Sequence, residues 1–469
     1  MVFASLEFLT LFLPTFLVLY ALTPRAWRNA VLMLSSWIFY AWLSPAFLSI
    51  LVGLTVLAWI GGLALVRSAA HERVAKAILV GLLAVNLGLL CWYKYVNIVV
   101  ANLNDVIGWA GATPVHWQKV VLPLGLSFIV LQAVSYLVDV YRGTVKPTRN
   151  FIDFAAYKAM FGQLIAGPIV RYAWIDKALV DRRSTWSQFT EGARRFMIGM
   201  SMKVLVADTL APLVDIAFSQ TNPSFSDAWI GCLAFNLQLF FDFAGYSSMA
   251  IGLGLMLGFR FPENFNNPYI ARNIQDFWRR WHMSLSSWLR DYLYFPLGGS
   301  RKGELRTYVN LMLTMAIAGL WHGSDSWNFL LWGLAHGVAQ CVQRLWGRLG
   351  LPDWPAIPAH AFTLLFVCLT RTVFRAPDWN VAETMYAAQF GLQSFALGDP
   401  LRLELRLVHG LAAALGVAAI LFPVLRERWR LAASPWAVAL GYVWPLAGFL
   451  LSFSLIASRG AVPFLYFQF

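Results

Sequence analysis

AVLMLSSWIFYAWLSPAFLSILVGLTVLAWIGGLALV, residues Ala30–Val66, contains no charged side chain. A membrane crossing takes about 20 apolar residues, so this block is too long for one span. It is interrupted at Leu43-Ser44-Pro45, where proline cannot continue a helix. The reading is a helical hairpin with both arms in hydrocarbon. Arg25 and Arg28 stand before it, and Arg67, Arg73 and Lys76 after it. Because basic connections stay on the cytoplasmic side, both ends of the hairpin are placed there. Upstream, about Leu6 to Leu22 reads as a first span with its start outside, uncleaved because no basic region precedes its apolar core. Downstream, one run leads out to Asn102, Asn104 and Asp105, and Leu122 to Tyr141 returns the chain to Arg142, Lys146 and Arg149.

The same pattern repeats over most of the 469 residues, of which 59% are hydrophobic and 13% charged. Soluble domains carry about 25% charged residues. Solid apolar runs also exclude an outer-membrane barrel, whose strands alternate over about ten residues. The fold class expected is all-α and polytopic, with about 12 crossings and with re-entrant and amphipathic helices around a central funnel. Residues 1–469 read as a single membrane domain. The net charge of +13 sits mostly in the connections, so it reports topology rather than nucleic-acid binding. Cys91, Cys232, Cys341 and Cys368 are isolated in apolar surroundings and read as buried free thiols, with no metal motif among them.

The segment FIDFAAYKAMFGQLIAGPIVRY, residues 151–172, does not fit the topology. A full crossing would place Arg182, Arg183, Arg194 and Arg195 outside, and Lys158, Gly162 and Gly167-Pro168 interrupt the run. A broken or re-entrant segment resolves the conflict. Such backbone is tolerated at membrane depth only when buried in protein or lining a cavity, and a cavity is expected here.

Polar side chains concentrate between Gln238 and Gly337. Asp242, Tyr246, Ser247 and Ser248 fall within one apolar run, either as a structural hydrogen-bond knot or as the lining of a substrate path. Gly252, Gly254 and Gly258 follow no strand and read as close helix packing. In IQDFWRRWHMSLSSWLRDYLYFPLGGSRKG, residues 274–303, Phe277, Trp281, Trp288 and Tyr292 recur at helical intervals, giving an amphipathic interfacial helix. Its Arg279, Arg280, Arg290, Arg301 and Lys302 serve either anionic lipid or an anionic donor such as the phosphates of coenzyme A. His322 ends an apolar run, and its imidazole is either a structural group or a general base. His336 reads as packing. There is no Walker motif, zincin motif or nucleophile elbow, which points to direct transfer assisted by a base.

These stretches, together with FLPTFL at 12–17, SSWIFYAW at 35–42, LPLGLSF at 122–128, SYLVDVYRG at 135–143, LIAGPIVR at 164–171 and GLWHG at 319–323, resemble the membrane-bound O-acyltransferase family. The resemblance is closest to its bacterial branch that acetylates exopolysaccharides. It is close over about the first 375 residues and looser beyond. It implies a ring of helices around a thinned centre, a multi-pass protein of the bacterial inner membrane, and acetyl-CoA as donor with no metal. His322 is implied as the catalytic base, and His282 as the second family histidine, orienting a substrate or stabilising charge on the carbonyl oxygen. It also implies as partners a periplasmic acetyltransferase or acceptor protein and a polysaccharide synthase or export complex, for a polymer of the alginate or cellulose type. D-alanyl and peptidoglycan O-acyltransferases share the pattern. A solute transporter or a structural anchor for a synthase would be the readings from other classes.

Overall fold

A computed structural model describes residues 1–42, 44–165, 167–323, 325–429 and 435–465. Every regular element among them is helical. Among the described residues seven helices are long and apolar enough to cross a membrane: Pro45–Arg67, Glu72–Trp109, Trp186–Ser219, Phe225–Met256, Ala356–Arg375, Leu407–Arg426 and Gly441–Arg459. Two shorter apolar helices, Glu7–Leu22 and Leu126–Tyr141, add to these. The four cysteines are free, but only Cys232 is buried: Cys341 and Cys368 are half-buried, and Cys91 is exposed on an outward position of the Glu72–Trp109 helix.

The chain divides into two compact units, Met1–Ala193 with Ala250–Pro262, and Arg194–Met249 with Glu263–Phe469. In the first, the hairpin expected around residue 43 is present as Arg28–Ala41 and Pro45–Arg67; Leu43 itself lies outside the described residues. Gly125, with φ +74°, starts the Leu126–Tyr141 helix, and a side chain there would meet the Leu164 carbonyl oxygen at 2.8 Å.

The irregular 151–172 segment is broken. Phe151–Ala159 and Phe161–Leu164 are separate helices, divided at Met160. The freed backbone is served by side chains: the Ser36 hydroxyl accepts from the Phe161 amide at 3.1 Å, and Gln163 donates to the Tyr157 carbonyl at 2.6 Å. Lys158 is fully buried and donates to the Ile129 carbonyl. Phe161 packs on Phe12 and Phe16, with ring centroids 5.3 and 5.0 Å away. Protein side chains enclose this break. A cavity lies in the second unit.

The second unit is organised on Phe225–Met249, part of a helix whose residues are almost all buried. Burial on all sides explains why this helix tolerates Asn236, Asp242 and Ser247: each is turned into protein and finds a partner there. Gly199 and Gly245 let two helices touch at backbone distance, since a side chain on Gly199 would stand 2.5 Å from the Gly245 carbonyl oxygen. Gly254, within the first unit, faces the Phe261 ring, where a side chain would stand 2.8 Å away; Phe261 belongs to no helix, so this glycine packs against a connecting segment rather than a second helix.

The expected amphipathic helix is instead Ile274–Arg280, Met283–Leu289 and a π-helical turn Arg290–Tyr294. It breaks at His282, which adopts the left-handed region with φ 43°. Phe277, Trp281 and Trp288 are buried, so these rings are core rather than interfacial anchors. Their helical spacing fits either role, and only the neighbours decide between them.

Candidate active site

The Glu304–His322 and Asn328–Arg348 helices pack as an antiparallel hairpin. Gly319 and Gly333 permit the contact, because a side chain on either would overlap the backbone of the other helix, at Phe329 and Met315. Gly323 is excluded from bearing a side chain by the Phe329 ring. The two glycines of GLWHG therefore press one aromatic residue from both sides of His322, which is the last residue of its helix.

His322 is 6% exposed. Its ring stands edge-on to Trp332 at 5.1 Å and to Phe374 at 5.5 Å. It lines a cavity walled by Phe277, Trp281, Trp332 and Phe374 with Leu239, Phe243 and Val367, whose polar members are His322, His336 and Arg371. An apolar recess with a few convergent polar groups is the form expected of a small-molecule site. Within it, low polarizability of the surroundings strengthens every charge interaction.

His336 is occupied at both nitrogens. Trp278 donates to its Nδ1 at 3.3 Å, and its Nε2 meets the Thr370 hydroxyl at 3.2 Å. That hydroxyl has the Phe366 carbonyl as acceptor at 3.0 Å, so the Nε2 proton belongs to His336. Both nitrogens of this neutral imidazole are therefore committed to protein partners.

His282 is 1% exposed and does not line the cavity, although Phe243, which does, packs edge-on against it at 4.7 Å. Its Nδ1 lies 3.0 Å from Asn264 Oδ1, which also accepts from the Ser284 hydroxyl at 2.9 Å and the Ser284 amide at 3.3 Å. Asn264 in turn donates to Ser247 at 3.0 Å. A carbonyl oxygen only accepts, so these bonds assign the proton to Nδ1. The buried Nε2 then carries a lone pair with no hydrogen-bond partner among the described residues. Asn264 belongs to the FPENFNNPY stretch, and nothing in its local spacing tied it to a histidine 18 residues later.

The five cations of 279–302 are distributed differently. Arg279, Arg301 and Lys302 are exposed. Arg280 pairs with Asp276 at 2.9 Å, and Arg290 with Asp291 at 2.8 Å; hydrogen bonding to Asp291 raises the proton affinity of the Arg290 guanidinium. None of the five lines the His322 cavity. Asp325, one turn beyond His322, is exposed.

Arg371 is a residue that sequence reasoning missed. It sits in Ala356–Arg375 near a helix end, where a basic residue reads as topology, yet it is 4% exposed and lines the cavity. The available signal was its place inside an apolar run, four residues before the true flanking Arg375.

The family model of the membrane-bound O-acyltransferases matches residues 145–350. A probable alginate O-acetylase AlgI of Pseudomonas putida is 42% identical over 486 aligned positions that cover all of both chains. The corresponding Pseudomonas aeruginosa protein is 45% identical over 85% of this chain and 76% of its own length. A peptidoglycan O-acetyltransferase of Helicobacter pylori is 36% identical over 80% of this chain and 75% of its own. With the apolar helices and the aromatic cavity at GLWHG, these likenesses make the chain a multi-pass membrane enzyme, an O-acyltransferase that belongs to the membrane-bound O-acyltransferase family.

Proposed function

We propose that the enzyme passes an acetyl group from acetyl-CoA on the cytoplasmic face of the bacterial inner membrane to a hydroxyl acceptor, for O-acetylation of a secreted exopolysaccharide of the alginate type. The observation that carries this is His322 at the wall of an aromatic cavity, in a chain whose relatives over nearly its full length are named alginate O-acetylases. His322 takes the proton from the acceptor hydroxyl as that oxygen attacks the thioester carbonyl, a contribution typically worth about 10²- to 10⁴-fold. His282 stands behind Phe243, held by Asn264, and orients the reacting groups through that wall of the cavity. The exposed Arg279, Arg301 and Lys302 are open to the phosphates of coenzyme A, with Arg280 and Arg290 available once their carboxylate partners yield. A periplasmic acetyltransferase or acceptor protein receives the acetyl group and works with the polysaccharide synthase or export complex.

The test is to express wild type and His322→Ala at equal membrane levels in a polymer-producing host and to quantify ester-linked acetyl on the secreted polymer. Loss of acetyl with polymer yield unchanged is the expected result. Unchanged acetylation would return His322 to a structural role. The Helicobacter relative favours one second reading, peptidoglycan as the acceptor, which predicts acetyl on the cell wall instead.

A further inference from the structure

Arg371 is a buried cation whose hydrogen-bond partners among the described residues are all neutral. Its Nη1 donates to Asn236 Oδ1 at 2.8 Å, to the Asn236 carbonyl at 3.4 Å and to the Tyr269 hydroxyl. Its guanidinium carbon lies 4.3 Å from the Trp281 ring centre and 5.3 Å from that of Tyr269. Nη2 is buried and has no hydrogen-bond partner among the described residues. One turn later in the same helix, Arg375 is paired with Asp215 at 2.7 Å, so the helix does not lack the means to neutralise an arginine. A desolvated charge left with an open donor is costly in protein and in membrane, and this one opens on the cavity that His322 lines. A ligand that offers an electron-rich oxygen completes its coordination.

We propose that Arg371 Nη2 binds the carbonyl oxygen of the acyl thioester and stabilises the oxyanion that forms there. The proposal rests on the acyl-transfer reading above. As the acceptor oxygen bonds to the carbonyl carbon, its proton passes to His322 and the C=O π pair moves onto the oxygen held by Arg371. Collapse of this adduct restores the carbonyl, breaks the C–S bond and releases the thiolate, which takes the proton from His322. The aromatic rings around Arg371 hold the guanidinium in place without cancelling its charge, and donors fixed before charge develops are what oxyanion stabilisation requires. Asn236 and Tyr269 position the guanidinium, and Arg371 is then a catalytic residue.

The experiment measures release of coenzyme A from acetyl-CoA by membranes of the polymer-producing host. It compares wild type, Arg371→Met, Arg371→Lys, Asn236→Asp and the control Arg375→Lys. Asn236→Asp keeps the shape of the site and its acceptor for Arg371 while supplying the missing counter-charge, so it reads the charge apart from folding. Arg371→Met is expected to lower kcat by about 10²- to 10³-fold with KM for acetyl-CoA within about twofold. Arg371→Lys is expected to recover part of that loss, Asn236→Asp to lower kcat at least about tenfold, and Arg375→Lys to match wild type. Wild-type kcat in Arg371→Met or in Asn236→Asp overturns the proposal, as does a change confined to KM. If wild-type membranes release no coenzyme A, the acetyl-CoA reading falls and this role with it, whereas an active wild type with indifferent Arg371 variants sinks this role alone.

Discussion

Lys203 and Arg371 are both cations buried in the second unit, 2% and 4% exposed, and they are treated in opposite ways. Lys203, in the π-helical turn Met202–Ala207, donates to Asp208 at 2.8 Å and Asp242 at 2.9 Å. Asp242 also accepts from the Leu465 amide at 2.6 Å, so the cluster ties three separate chain segments together. Among the described residues Arg371 hydrogen-bonds to an amide, a backbone carbonyl and a phenol, its Nη2 has no hydrogen-bond partner, and the residue lines the cavity. Removing one member of a saturated buried ion cluster leaves an uncompensated charge. Removing an unsaturated cation relieves a desolvation cost instead. The contrast separates a charge that holds the fold from one held ready for a ligand.

Lys203→Met breaks the comparison at its strongest point. It leaves two carboxylates facing each other in protein and is expected to cost about 3–5 kcal/mol, read as loss of membrane-inserted protein or a large fall in Tm in detergent. Arg371→Met is expected to leave Tm near wild type while transfer fails. Equal thermal damage in the two variants would erase the distinction. A smaller effect is expected where a buried neutral hydrogen-bond centre is removed: Asn264→Ala strips His282 Nδ1 and Ser284 of their acceptor, a loss of about 1–3 kcal/mol. The same variant frees the His282 ring, so transfer should fall more than Tm does. Wild-type transfer in Asn264→Ala would reduce the Asn264–His282 pair to packing.

Contact without charge comes next. Gly319→Ala forces a methyl into the Phe329 backbone, an overpacking expected to cost about 1–3 kcal/mol and checked by chemical denaturation in detergent. Unchanged stability would show that the hairpin spreads without penalty. The smallest effect belongs to an exposed pair. Arg344 donates to both Glu304 oxygens at 3.1 and 3.0 Å and holds that carboxyl below its usual range. Its contribution is fully present at neutral pH and is lost as the pH falls through the depressed pKa. Glu304→Gln should therefore lie slightly below wild type in Tm near neutral pH and converge with it in acid; a gap that widens in acid would refute the sign. Surface pairs of this kind contribute little and are screened by salt.

Much of the helical architecture was legible because hydrocarbon permits few solutions. Ala30–Val66 had to fold as a hairpin, and 151–172 had to break, once length, proline and the basic flanks were set against a membrane. His322 was legible for the same reason, as an imidazole at the end of an apolar run between glycines. Less visible was anything that depended on which face of a helix meets which neighbour. Phe277, Trp281 and Trp288 have the spacing of interfacial anchors, yet they are buried, because the chain turns through a left-handed residue at His282 that no periodicity foretells.

What the sequence determined by itself was the class of the protein: an all-α chain in a membrane, with polar side chains gathered between Gln238 and Gly337 and His322 as its sharpest candidate. Composition and run length decide that, since an apolar solvent leaves unpaired backbone nowhere to go. What only the tertiary structure decided was the meaning of the individual polar residues. It separated His336, bonded at both nitrogens, from His282, fixed at one and open at the other. It also drew Arg371 out of a helix flank into the cavity with His322, 49 positions away in sequence. Partnering is a property of space, and an arginine in a string of letters carries the same charge whether or not a carboxylate waits beside it.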